Sequence, residues 1–168
     1  ANKDEWGTDL RADHAVFING ADDYTLTSGK TSRVQDFYKE VQISLHERSG
    51  KKRLVILRVR AFNDGVAFRY EFPAQDNWNA YALTNENTRF NLSGNPKARV
   101  AFLENFTTSH EHRYNVLPLA DIKDDTLMDM PALFEFPEKI YLAITEANLV
   151  NYAGMSLIKR KGILVSQL

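Results

Sequence analysis

Between positions 53 and 73 the chain reads RLVILRVRAFNDGVAFRYEFP, two runs rich in β-branched and aromatic residues on either side of Asn63-Asp64-Gly65. Asp-Gly readily takes the positive φ angles of a tight turn, so the pattern predicts a β-hairpin. On the first arm Val55, Leu57, Val59 and Ala61 share one face, while Arg58 and Arg60 share the other with Leu54, Ile56 and Phe62. On the second arm Val66, Phe68, Tyr70 and Phe72 alternate with Ala67, Arg69 and Glu71. One apolar and one mixed face per strand is what half-buried antiparallel strands require.

Similar runs predict strands at 41–47, 88–92, 98–103, 112–116, 132–136, 140–146 and 163–167, separated by punctuation such as SGNPK and FPEK. The stretch VQDFYKEVQISL, 34–45, fits two periods. Val34, Phe37, Tyr38 and Val41 recur as on a helix, whereas Val41, Ile43 and Leu45 alternate; the second half is assigned to a strand. Many short strands with few helical patterns predict an all-β fold, an antiparallel β-sandwich. No repeat, low-complexity segment or linker divides the chain, so 1–168 reads as a single domain.

At 168 residues and 19.2 kDa, one core is expected, burying roughly 70% of the surface of the unfolded chain. The 21 basic and 22 acidic residues leave a net charge of -1 without long basic runs, which argues against nucleic acid or an anionic membrane as partner. No apolar run approaches the roughly 18 residues of a membrane span. The polar start at Ala1 to Asp4 is unlike a secretion signal, so the expectation is a soluble chain with any targeting segment left out. Zero cysteines exclude disulfides, thiolate nucleophiles and Cys-ligated metals, and fit a bacterial periplasmic or secreted protein. Asn91 and Asn105 open Asn-x-Ser/Thr triplets, which arise so often by chance that they carry little weight.

Three constellations bear on chemistry. SHEHRY, 109–114, places His110 and His112 two residues apart on one predicted strand face, a way to present imidazoles to a metal; without a third ligand nearby, half-exposed surface histidines are the better account. DIKDDTLMDM, 121–130, gathers Asp121, Asp124, Asp125 and Asp129, but lacks the glycine and glutamate of a calcium loop and reads as a solvated acidic loop. QDNWNAYAL, 75–83, sets Trp78 and Tyr81 among amides, a composition suited to stacking a sugar ring, and equally to an aromatic cover over the core. No Gly-rich phosphate loop and no Gly-x-Ser-x-Gly elbow occurs.

Glu146 is the unusual position. In YLAITEANLVNYAGMSL, 141–157, its neighbours at two-residue spacing, Ile144, Leu142 and Ile140, are apolar. A strand running through it would aim a carboxylate inward or at an interface, where it needs a charged or hydrogen-bonding partner. The alternative is that TEANL opens a short helix, with Thr145 as cap and Glu146 in the first turn.

These segments, RVRAFNDGVAFRYEFP and YLAITEANLVNYAGMSL, together resemble the N-terminal domain of glycoside hydrolase family 97, the bacterial α-glucosidases and α-galactosidases. Arg60, Asp64, Gly65, Phe68, Arg69 and Tyr70 carry the first block; Thr145, Glu146, Ala147, Leu149, Tyr152, Met155 and Leu157 carry the second. The resemblance runs from about Val41 to Leu157, and residues 1–35 match the pattern poorly.

The resemblance implies a three-part enzyme: an N-terminal β-super-sandwich, a catalytic (β/α)₈ barrel and a small C-terminal β domain. It also implies that the sandwich packs on the barrel and that its TEA glutamate, here Glu146, reaches a calcium ion beside the oligosaccharide substrate. A cation would be a suitable partner for that carboxylate. The catalytic residues would all lie in the barrel, which takes about 250 residues and is absent from this sequence. By resemblance the chain is most of the N-terminal sandwich, a truncated domain, inactive alone. A stand-alone carbohydrate-binding module using Trp78 and Tyr81, or a purely structural sandwich, are the alternatives.

Overall fold

A computed structural model describes residues 5–76, 78 and 80–168. The polar start at 1–4, and Asn77 and Asn79 beside Trp78, lie outside the described residues. The fold is all-β and its strand pairs are antiparallel, as the alternating patterns predict. It divides into two compact units, Ala1–Tyr81 and Ala82–Leu168.

The first unit is a four-stranded sheet in chain order: β1 (Leu10–Thr25), β2 (Arg33–Glu47), β3 (Leu54–Ala61) and β4 (Val66–Glu71). The predicted hairpin is β3 and β4, with Val59 opposite Phe68 and the turn closed by Phe62 N–H donating to the Gly65 carbonyl at 2.8 Å. The ambiguous 34–45 stretch is strand throughout, because β2 pairs over fifteen residues with β1, a strand the sequence did not announce. The register sets Glu40 opposite Arg60, and Gln42 opposite Arg58, which in turn faces Arg69. The mixed face therefore gathers charge: Glu40, only 3% exposed, accepts from Arg58 and from Arg60 (2.6 Å), while Arg58 also reaches Glu71 at 2.8 Å.

The second unit contains β5 (Arg89–Phe90), β6 (Lys97–Leu103), β7 (Tyr114–Pro118), β8 (Leu127–Met128), β9 (Ala132–Glu135), β10 (Tyr141–Ile144), β11 (Ser156–Arg160) and β12 (Ile163–Gln167). They form one sheet in the order β10-β9-β6-β8-β11-β12-β5, with β7 on the other edge of β6. β6 is shared along its length: Lys97 to Arg99 pair with β9, and Phe102 and Leu103 pair with β8. Its alternating Ala98 and Val100 join Leu119, Ile122, Met128, Ala132, Phe134, Ile144, Leu157 and Leu164 in a closed apolar core. Lys159 is buried at the edge of that core and donates to the carbonyls of Leu119, Ala120 and Ile122, replacing the water an ammonium would otherwise need.

Candidate functional site

β10 ends at the buried Ile144 and β11 begins at the buried Ser156. The eleven residues between them contain no helix and no strand, so the predicted continuation of the strand to 146 and the alternative of a helix at TEANL both give way to a loop. Asn148 and Asn151 turn this loop with φ of 54° each, the left-handed region that asparagine tolerates. Glu146, half-buried, holds a backbone amide nine residues ahead: its Oε2 accepts the Met155 N–H at 2.9 Å, which ties the two ends of the loop together. Among the described residues Oε1 accepts no hydrogen bond.

The middle of the loop is fastened by Tyr152, whose hydroxyl donates to Glu86 Oε2 at 2.8 Å. Glu86 is fastened in turn: Thr88 Oγ1 donates to its Oε1 at 2.5 Å, and the hydroxyl of the buried Ser166 on β12 donates to its backbone carbonyl at 2.7 Å. Sequence reasoning missed Glu86. The local signal was Glu86-x-Thr88, an acceptor and a hydroxyl two residues apart; the long-range contact to Tyr152 leaves no pattern.

A calcium ion takes six to eight oxygen ligands. Glu146 fits as one of them, a hard oxygen donor with one carboxylate atom oriented by an amide and the other open. Among the described residues no three His, Asp or Glu side chains converge on a common metal position.

The other candidates lie apart. His110 and His112 precede β7, which starts at Tyr114, so they do not share the predicted strand face. His110 Nδ1 lies 2.9 Å from Asp129 Oδ2, and His112 Nε2 lies 3.2 Å from the Thr108 hydroxyl. The aspartates of 121–130 have separate tasks: Asp124 accepts the Lys161 N–H at 3.0 Å, Asp129 binds His110 and the Met130 N–H, and Asp125 lies 3.7 Å from Arg160.

Trp78 is 8% exposed within an aromatic cluster of the first unit, its ring 4.8 Å from that of Trp6, 5.0 Å from Tyr81 and 5.8 Å from Phe72. The Arg53 guanidinium lies 5.5 Å from its centroid. Tyr81 leans on Phe72 at 4.8 Å and keeps 49% of its surface exposed.

The chain is similar to part of several solved glycosidases. A glycoside hydrolase family 97 enzyme from Pseudoalteromonas sp. strain K8, in complex with panose and separately with acarbose, matches with a TM-score of 0.81 and 27% identity over 95% of this chain and 24% of that one. A β-arabinopyranosidase shares the fold, with a TM-score of 0.76 and 18% identity over 94% of this chain and 26% of that one. The family model described as glycosyl-hydrolase 97 N-terminal matches residues 2–167, and the chain belongs to that family. The match takes in 2–35, which the resemblance had left aside. The chain spans about a quarter of the length of these solved enzymes.

Proposed function

We propose that the chain is the N-terminal domain of a calcium-dependent, exo-acting α-glycosidase, an α-glucosidase or α-galactosidase. In this reading the domain packs on a (β/α)₈ barrel that carries the catalytic carboxylates, and Glu146 gives one oxygen to a calcium ion whose other ligands come from that barrel. The observation that carries the reading is Glu146 itself, a half-buried carboxylate anchored through Oε2 by the Met155 amide and open at Oε1. Calcium there would supply positive charge to orient and polarise groups at the scissile bond. The work of this chain would be positional, holding one ligand oxygen at a fixed place beside the substrate.

Panose, bound by the Pseudoalteromonas enzyme, is an α-linked glucose trisaccharide and supports an α-glucoside as substrate. Periplasmic or secreted placement in a bacterium accompanies the proposal, in keeping with a cysteine-free sequence.

The test is Glu146→Ala in the complete enzyme, with calcium affinity measured by calorimetry after chelation. Affinity should fall by more than about tenfold, since even outer-shell partners of metal ligands are worth that much. Activity on α-glucosides should fall with it and circular dichroism should not change. A variant as sensitive to chelator as the unaltered enzyme would reject the reading.

A further inference from the structure

An eleven-residue loop is a poor platform for a metal ligand, because each unrestrained residue adds conformations in which the carboxylate points elsewhere. Glu146 stands two residues past Ile144, the buried end of β10, and its own backbone has already left the sheet. The Met155 amide fixes the carboxylate only as well as the loop itself is fixed. The loop tip, Leu149 and Val150, is 48% and 67% exposed and adds little packing.

What holds the loop is a chain of side-chain contacts that begins in the core of the second unit. The buried Ser166 anchors the backbone of Glu86, Thr88 orients the Glu86 carboxylate, and that carboxylate receives the Tyr152 hydroxyl. Tyr152 stands three residues before Met155, whose amide orients Glu146. The Tyr152 hydroxyl donates to the Glu86 carboxylate at 2.8 Å, the ordinary length of an O–H···O hydrogen bond.

We propose that Glu86 and Tyr152 are positioning residues for Glu146: their contact fixes the 145–155 loop so that Oε1 of Glu146 is presented in one place. In this role they act through the loop and not as ligands of the ion. The proposal rests on the reading of Glu146 as a calcium ligand, and it adds an outer layer of support sixty residues upstream in sequence. Outer-shell partners of metal ligands typically account for about 10- to 100-fold in affinity.

The experiment compares Tyr152→Phe, Glu86→Gln and Glu146→Ala in the complete enzyme, reading calcium affinity by calorimetry and amide hydrogen exchange of the 145–155 peptide by mass spectrometry. Tyr152→Phe should weaken calcium about tenfold and speed exchange across the loop. Glu86→Gln still offers an acceptor to Tyr152 and should lie closer to the unaltered enzyme in both readouts. Undiminished calcium affinity in Tyr152→Phe, beside a loss in Glu146→Ala, overturns the proposal and leaves the reading of Glu146 standing. Undiminished affinity in Glu146→Ala overturns that reading and the proposal with it. Weaker calcium in Tyr152→Phe without faster loop exchange also overturns the proposal, since the effect would not run through the loop.

Discussion

Arg53 holds Glu47 by two side-chain hydrogen bonds, Nε to Oε2 at 2.8 Å and Nη2 to Oε1 at 2.6 Å, and its own backbone N–H gives Oε2 a third at 3.0 Å. Both side chains are about 5% exposed, and the pair closes the turn that joins β2 to β3. Removing one member leaves an uncompensated buried charge. Glu47→Ala should therefore lower stability by about 3–5 kcal/mol in urea unfolding, whereas the double variant Glu47→Leu, Arg53→Met should cost clearly less than the sum of its parts. Additive losses would show that the pair is not coupled.

The charged face of the first sheet sets a pH dependence. Burial pushes Glu40 up, but Gln42, Arg60 and Arg58 together outweigh it and hold the carboxyl below its ordinary value. Arg53 holds Glu47 down, and Arg58 with Arg69 does the same for Glu71. Carboxylates with depressed folded-state values contribute stability that is complete above the unfolded value of about 4.3 and is lost as pH falls through the lower folded values. The melting temperature should thus be flat near neutrality and fall steeply below about pH 4. Glu40→Gln should melt lower at pH 7 and show a shallower acid limb; parallel curves for variant and unaltered chain would refute the account.

How much of this was readable from sequence depended on range. The β3–β4 hairpin was legible because Asn63-Asp64-Gly65 encodes its turn locally, and β6 because the apolar run from Val100 to Leu103 follows the turn punctuation SGNPK. β1 was not: in LRADHAVFINGADDYT nearly every residue is exposed, so no buried face imposes a period, and its strand state comes from pairing with β2. The same pairing settles 34–38 as strand against a helical spacing. At the candidate site, Glu146 was visible as a carboxylate out of place. Its partner, the Met155 amide, was not, since a loop closing on itself over nine residues has no period to detect.

Lys159 offers a test of the second unit. Its ammonium is the donor to three carbonyls of 119–122, at 3.0, 2.9 and 2.5 Å. Lys159→Met keeps the aliphatic stem and removes the ammonium; the Leu119 carbonyl still accepts the Ile122 N–H at 3.3 Å, while those of Ala120 and Ile122 lose this donor, at about 1–3 kcal/mol for each that water cannot reach. The unfolding midpoint should drop, and amide exchange should rise first around Ile122. A methionine variant as stable as the unaltered chain would mean that the stem alone matters there.

Trp78 and Tyr81 separate packing from recognition. Trp78 has ring neighbours in Trp6, Phe72 and Tyr81 and a cation over its face, so its truncation leaves a large cavity. Trp78→Ala should cost about 3–5 kcal/mol, a loss read in unfolding rather than in sugar affinity. Tyr81, half exposed, should cost less when truncated, because water already covers part of it. Calorimetric titration of α- and β-glucans should then give the same heats for Tyr81→Ala as for the unaltered chain. A binding heat that disappears in Tyr81→Ala would instead establish a stacking platform at that ring, and would make this domain a sugar-binding element in its own right.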